Sequence, residues 1–290
     1  MRDITYIDKF REGLRNFHTS SDVGIMGILN VTPDSFYDGG INFSIKAAVN
    51  SGLKMQRDGA NIIDIGGASS RPGSAPVSAF QEWSRVEPVI KGLLDAAPEV
   101  NISIDTYSSE VARKAVEAGA VMINDISAGS LDPELFYAVA EAEVPYVLMH
   151  MQGRPETMQI DPSYENVVNE VKTWFEEKTT ALSKAGIKDV ILDPGFGFGK
   201  TSKDNFALLQ NLNEFNELNR PILVGTSRKS MIYKTLNCQA FQALNGTTAT
   251  HAWALDRGAS LLRVHDVQEA REVVLLHHHL CDLKTVKKRT

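Results

Sequence analysis

The sequence predicts an α/β fold, a closed (β/α)8 barrel of the TIM type in a single domain. Three observations carry that expectation. Short apolar runs alternate about eight times with longer amphipathic segments. The runs are apolar throughout rather than at every second residue, as in parallel strands buried on both faces. Each run is followed by polar or charged residues, and in a barrel those positions share one rim.

The elements follow in order. Residues 1–20 carry charges throughout and read as an N-terminal extension of no clear class, and residues 21–290 carry the barrel. The strand runs are 23–29, 62–65, 102–104, 121–123, 146–149, 190–192, 222–224 and 261–264. Helical patterns cover 44–58, 78–94, 109–118, 133–142, 164–184, 204–217 and 246–257. Ser44, Ser78 and Ser109 stand where N-caps fall, and Gly59, Gly119, Gly186 and Gly258 where left-handed C-caps fall. The segment "VQEAREVVLLHHHLCDL" reads as a closing helix. Its consecutive His277, His278 and His279 splay around the axis, so they form a solvated face rather than a metal tract.

Composition narrows the function. With 43% hydrophobic residues in 290, one substantial core is within reach. A net charge of −6 gives no basic face for nucleic acid or an acidic membrane. Cys238 and Cys281 lack metal-type spacing and read as free thiols of a reducing compartment. The N-terminus has no secretory pattern and no run reaches membrane-spanning length, so a soluble cytoplasmic protein is expected.

The stretch "GILNVTPDSF" taken alone is a strand finishing in a turn, since Asn, Pro, Asp and Ser are ordinary turn residues. The other strands change that reading. Asn30, Ser70 with Arg71, Asp105, Asn124 with Asp125, His150, Asp193, Ser227 to Lys229, and Arg263 with His265 and Asp266 follow the eight strands in turn. One polar residue after a strand is a turn, whereas a ring of them around one mouth is a site. Arg263 and His265 are two apart on the last strand, so both side chains take the same face, as an anion pocket would require. Pairing of these two with Asp266 or other carboxylates is the competing structural reading. Neither cysteine falls on the rim, and "TSRKS" lacks an obvious base partner for a nucleophile.

Five stretches, "GILNVTPDSF", "DIGGASSRPG", "MHMQG" with "DPGFGFGK", "TSRKS" and "RVHDV", give the chain a resemblance to the dihydropteroate synthase family over nearly its whole length. The resemblance implies a pterin-binding barrel that condenses 6-hydroxymethyl-7,8-dihydropterin diphosphate with p-aminobenzoate. The products are 7,8-dihydropteroate and pyrophosphate. It implies pterin binding by Asp105, Asn124, Met149, Asp193, Lys229 and Arg263, with Arg263 stacked on the ring. A carboxylate suits the parallel N–H donors of a pterin edge. For any one of these residues alone, capping of the following helix is an equal reading.

The resemblance further implies diphosphate binding by Asn30, Ser70, Arg263 and His265, with Asn30 also a ligand of Mg2+. One protein oxygen beside substrate phosphates is a normal magnesium arrangement. It implies aminobenzoate binding by Ser70, Arg71, Pro72, Phe198, Ser227 and Lys229. Phe196 and Phe198 offer aromatic faces among glycines. The loops 31–45, with Asp34 and Asp38, and 66–76 read as two covers. The implied mechanism is SN1-like: diphosphate leaves first, and Asp105, Lys229 and Arg263 carry the catalysis. Sulfonamides, as aminobenzoate mimics, are expected inhibitors, and the ordinary "DPGFGFGK" points to a sensitive form. A homodimer through helices away from the mouth is also implied.

The chain departs from the family pattern at Ala68, where Glu is frequent, and at Ser70, where Thr is usual. Thr226 and Arg154 also differ. None of these changes removes a proposed chemical group. A pterin-dependent methyltransferase on the same barrel and a non-catalytic pterin-binding paralogue remain the alternatives.

Overall fold

The structure is a computed structural model that describes residues 4–19, 22–32, 41–68 and 77–287. Ser70, Arg71, Pro72, Asp34 and Asp38 lie outside the described residues. Eight parallel strands make one sheet: β1 (Gly24–Asn30), β2 (Ile62–Gly66), β3 (Ile102–Asp105), β4 (Met122–Asp125), β5 (Tyr146–Met149), β6 (Val190–Asp193), β7 (Leu223–Val224) and β8 (Leu261–Val264). Their order is β6-β5-β4-β3-β2-β1-β8-β7, and a parallel bridge from Leu192 to Ile222 closes the ring. The expected barrel is therefore present.

Helices α1 (Ile4–Thr19), α2 (Ile41–Asp58), α3 (Ala79–Ala96), α4 (Ser109–Ala118), α5 (Leu135–Ala142), α6 (Val167–Lys184), α7 (Ser202–Gln210), α8 (Ser230–Thr235), α9 (Leu244–Asp256) and α10 (Val267–Lys287) accompany the strands. Ser78 caps α3 in a capping box with Gln81. Two expected caps move. Ser108, not Ser109, accepts from the Val111 N–H at the start of α4, and α2 begins at Ile41, so Ser44 lies inside it. The single helix expected over 204–217 divides into α7 and a 3-10 segment, Leu212–Leu218. Asn211 explains the break: its side chain donates to the Ala207 carbonyl at 2.8 Å, satisfying an acceptor at the helix end. In α10 only His279 is exposed; His277 and His278 are half-buried, and His277 Nε2 lies 3.4 Å from Cys281 Sγ, so the histidines are not a uniformly solvated face.

Strand parity positions everything that follows. Ile25, Ile63, Ile104, Ile123, Leu148 and Leu262 point outward into one core with helix residues such as Val86, Val89 and Phe175. The alternate residues point into the barrel. Met26, Ile62, Met122, Val147, Ile191, Leu223 and Leu261 form a second apolar cluster at its N-terminal end, together with Phe10 and Leu14 of α1. The first helix, which the sequence left unclassified, therefore packs on the barrel floor. Tyr6 of α1 ties it further, donating to the Glu99 carbonyl at 2.7 Å. Two residues further along the strands, the inward positions become Asp64, Asn124, Met149, Asp193 and Arg263. Among the described residues, no helix is long and apolar enough to cross a membrane.

Candidate active site

The inward polar layer opens at the C-terminal end of the barrel. Its centre is an ion cluster. Arg263 of β8 donates from Nε to Asp64 Oδ2 at 2.7 Å and from Nη2 to Asp105 Oδ2 at 2.6 Å. Asn124 Nδ2 donates to the same Asp64 oxygen at 2.9 Å. Asp64 is fully buried, and its second oxygen, Oδ1, has no hydrogen-bond partner among the described residues. Asp193 on β6 is buried as well, with Oδ1 accepting the Gly195 N–H at 2.8 Å.

This cluster costs free energy to assemble, because ions leave water for a barrel interior. Its titration shows the strain. Burial raises the Asp105 carboxyl to about 7 against the pull of Arg263, with Asp64, Glu82 and Asp125 adding to the rise. Asp193 is also raised by burial, opposed first by Lys229. The Arg263 guanidinium is held above its ordinary value by Asp64 and Asp105, although burial opposes this.

The loop after β6 forms the next wall. Lys200 is buried, and its Nζ lies 2.9 Å from His150 Nδ1, 3.2 Å from the His150 carbonyl, 3.1 Å from that of Gly195 and 3.0 Å from that of Phe198. One ammonium thus ties the loop 195–199 to the end of β5. The backbones approach too closely for side chains: a Cβ on Gly195 would stand 1.9 Å from the His150 carbonyl oxygen. Burial, then the Lys200 charge, lowers His150 to about 3, so it is neutral and accepts at Nδ1. Burial also lowers Lys200 to about 7.

The loop after β7 faces it. Lys229 Nζ donates to the Phe196 carbonyl and sits 4.6 Å from the centroid of the Phe198 ring. Burial lowers Lys229 to about 8, opposed first by Asp193. Ser227 Oγ accepts the His265 N–H at 3.2 Å and lies 3.0 Å from His265 Nδ1. The His265 ring has an exposed edge, yet it loses hydration in the mouth, and with Arg263 and Arg228 nearby it falls to about 4.

The structure therefore brings Asn30, Asp105, Asn124, Met149, Asp193, Phe198, Ser227, Lys229, Arg263 and His265 to one end of the barrel. Ser70, Arg71 and Pro72 are outside the described residues. Several expectations need correction. Phe196 is fully buried in the core, so only Phe198 offers a ring. Asp125 has outward parity and serves its own loop, accepting from the Ser127 and Gly129 N–H groups and the Tyr146 hydroxyl. Ser227 does have a histidine partner. It is not an activated nucleophile, because both Asp266 oxygens are bonded to Arg228 and, among the described residues, no carboxylate is hydrogen-bonded to His265. Arg263 does pair with carboxylates, but inward, with Asp64 and Asp105 rather than Asp266.

Two residues were missed from the sequence. Asp64 stands inside the apolar run "IIDIG", where a lone carboxylate at inward parity was the signal. Lys200 closes "DPGFGFGK", and nothing local marks it as buried.

The fit of a divalent cation can be tested at Asn30. Asn30 pairs with Gly66, and Gly66 with Asp105, across β1 to β3. A Cβ on Gly66 would stand 3.7 Å from both Asn30 Oδ1 and Asp105 Oδ2, so the glycine leaves an oxygen-lined gap at the rim. No group of three or more His, Cys, Asp or Glu suited to a metal occurs among the described residues. Hard oxygen donors without a closed cage fit a magnesium ion that brings its remaining ligands with a phosphate.

Comparison with known proteins agrees with this geometry. The family model described as "Pterin binding enzyme" matches residues 26–265. The chain is similar to the dihydropteroate synthase of Escherichia coli K12, with 47% identity over 252 residues, covering 86% of this chain and 89% of that protein. Among solved structures it is similar to Xanthomonas albilineans dihydropteroate synthase with 4-aminobenzoic acid, at TM-score 0.84 and 43% identity, covering 89% and 93% of the two chains. It is also similar to Yersinia pestis dihydropteroate synthase with a sulfonamide drug complex, at TM-score 0.85 and 40% identity, covering 90% and 95%.

Proposed function

Since this chain belongs to the dihydropteroate synthase family of pterin-binding enzymes, we propose how its mouth performs that synthesis. It condenses 6-hydroxymethyl-7,8-dihydropterin diphosphate with p-aminobenzoate, giving 7,8-dihydropteroate and pyrophosphate. The observation that carries the site reading is the Arg263 ion cluster. Ions buried inside an otherwise apolar barrel, with the Asp64 Oδ1 acceptor unpartnered, have no purpose in the fold.

The pterin lies in the cradle of Asp105, Asn124, Met149 and Asp193. Its N–H edge donates to Asp193, and Met149 gives an apolar contact. The Arg263 bonds to Asp64 and Asp105 use Nε and Nη2, so Nη1 is not committed to them. The planar group stacks on the ring and turns its remaining donors to the diphosphate. His265 adds a donor. With its Nδ1 accepting from the Ser227 hydroxyl, the neutral ring carries its proton at Nε2. Ser70 adds a hydroxyl to the same anion. Asn30 would hold Mg2+, which would supply charge neutralisation for the leaving diphosphate.

The carbon–oxygen bond to diphosphate breaks first, and its electron pair leaves with the pyrophosphate. The resulting pterinylmethyl cation is stabilised by the Asp105 carboxylate and shielded from water. The arylamine nitrogen then forms the new carbon–nitrogen bond and releases one proton. Arg71, Pro72, Phe198, Ser227 and Lys229 hold the aminobenzoate, and the cationic Lys229 suits its carboxylate. Sulfonamides compete for the same place.

The enzyme acts as a homodimer in the cytoplasm. Leu236, Phe241 and Trp253, 53%, 71% and 51% exposed on neighbouring elements around α8 and α9, support an apolar surface for a second copy. Among the described residues Cys238 and Cys281 form no disulfide, which supports a reducing compartment.

The test is product formation from the two substrates with and without Mg2+. Dihydropteroate and pyrophosphate, made only with the metal, are expected. Pterin binding without turnover would overturn the reading in favour of a non-catalytic paralogue.

A further inference from the structure

We propose that Arg228 and Asp266 form a latch that positions the aminobenzoate and diphosphate groups of the mouth relative to each other. Neither touches substrate in the reading above, on which this inference rests; both act through their neighbours. Arg228 lies between Ser227 and Lys229, and Asp266 follows His265.

The need for a latch comes from the sheet. Strand β7 has two residues and pairs with β8 only at Leu223–Leu261 and Val224–Leu262. Beyond Val224 no ladder holds the chain that carries Ser227 and Lys229. Side-chain bonds take over. Arg228 grips Asp266 in a bidentate pair, Nε to Oδ2 at 2.9 Å and Nη2 to Oδ1 at 2.5 Å. Beside it, Ser227 Oγ meets both the backbone N–H and the ring of His265. The Arg228 N–H donates to Thr247 Oγ1 at 3.1 Å, which fixes the loop to α9.

The backbone is bent to make this possible. Arg228 has φ of +54°, a left-handed conformation unfavourable for a bulky residue. The side chains of the pair are 32% and 16% exposed, and a half-buried bidentate pair fixes orientation as well as adding energy. A strained residue committed to an orienting pair at the mouth is explained by placement: the pair holds the reach of Lys229 and Ser227 against His265.

The variants are Arg228→Ala, Arg228→Gly, Arg228→Lys and Asp266→Asn, with the Arg228→Ala/Asp266→Asn double. Three quantities are read: kcat/KM for p-aminobenzoate, equilibrium binding of p-aminobenzoate with pyrophosphate present, and binding of 6-hydroxymethylpterin alone. Arg228→Ala, Arg228→Gly and Asp266→Asn are each expected to lower kcat/KM for p-aminobenzoate by about tenfold or more, from misplacement alone. Pterin affinity should fall by less than aminobenzoate affinity, because Asp193, Asn124 and Arg263 are held by other bonds and only Lys229 of the pterin set moves with the latch. Arg228→Lys should recover part of the loss. Arg228→Gly, which tolerates the positive φ, should lose as much as Arg228→Ala, because the ion pair and not the turn is missing. The double variant should be no worse than the worse single.

Unchanged kcat/KM overturns the latch. So do equal losses in pterin and aminobenzoate binding, a Gly variant at parental activity, or additive losses in the double. Turnover by the parent reports on the synthase reading, whereas the binding isotherms report on the latch without turnover.

Discussion

At the N-terminal end of the barrel, Phe10 and Leu14 of α1 meet Met26, Ile62, Ile191 and Leu261 in a dry apolar plug. At the C-terminal end, two residues further along the same strands, Asp64, Asp193 and Arg263 occupy the equivalent inward positions. Parity is the same, but the chemistry is opposite. The floor gains free energy by removing apolar surface from water, about 1.5–3 kcal/mol for each large side chain. The mouth spends free energy to hold ions and unpaired acceptors where a substrate needs them. A site this polar is tolerated because the other end of the same cylinder is not.

The comparison predicts that changes at the two ends move different observables, and the largest effect belongs to the mouth. Asp193→Asn keeps an oxygen to accept the Gly195 N–H but removes the charge that interacts with Lys229 and that the proposed function pairs with a pterin edge. Turnover should fall on the order of a hundredfold or more. Stability should not fall with it. Burial raises the Asp193 carboxyl in the folded state, so its ionised form opposes folding at pH 8, and a neutral amide removes that opposition. Thermal melting and turnover on the same preparation check this. A variant that melts well below the parent at pH 8 would break the comparison at the mouth.

The floor should behave in the reverse way. Phe10 is 8% exposed and lies against the inward apolar layer. Phe10→Ala should cost about 3–5 kcal/mol of stability through lost burial and a residual cavity. At a temperature where the variant is still folded, kcat/KM should remain within about twofold of the parent, since Phe10 packs on the inward layer at the opposite end of the barrel. Denaturant unfolding beside a turnover assay measures both. A matching loss of turnover in the folded variant would mean that the plug also sets the geometry of the rim.

This separation of ends explains what was legible in the sequence. The strands were readable because each is a run of buried apolar residues, and the structure extends four of them by the one polar or glycine residue that closes them, Asn30, Gly66, Asp105 and Asp193, and a fifth by two, Asn124 and Asp125. The rim was readable because polar groups recur after every strand. What failed was parity. Asp125 and Phe196 follow strands just as Asp105 and Phe198 do, but face outward into bonds and packing of their own. Asp64 was passed over because attention to strand ends overlooks a carboxylate one inward step below. The plug of α1 was illegible for a different reason: an amphipathic helix does not state which surface it will cover.

Glu82 offers the smallest and sharpest test, because it lies outside the barrel wall yet shares the electrostatics of the mouth. It sits in the first turn of α3, 1% exposed, with Oε1 unpartnered among the described residues, and it adds to the rise of Asp105. Burial raises its carboxyl to about 7 from an ordinary 4.5, opposed by Thr106 and Arg85. The sign follows from that rise. The folded state favours the protonated form, so this group's contribution is fully present below pH 4.5 and is lost as pH rises through 7. Glu82→Gln mimics the protonated form at every pH. The variant should therefore approach the parent near pH 4.5 and become more stable above pH 7, by about 3 kcal/mol at most. Removing this negative neighbour should also lower the Asp105 carboxyl, moving any acid limb of the turnover profile to lower pH. Melting curves of parent and variant from pH 4.5 to 8.5 decide it. A stability difference that does not change with pH would show that Glu82 belongs to the packing of α3 and not to the charged end of the barrel.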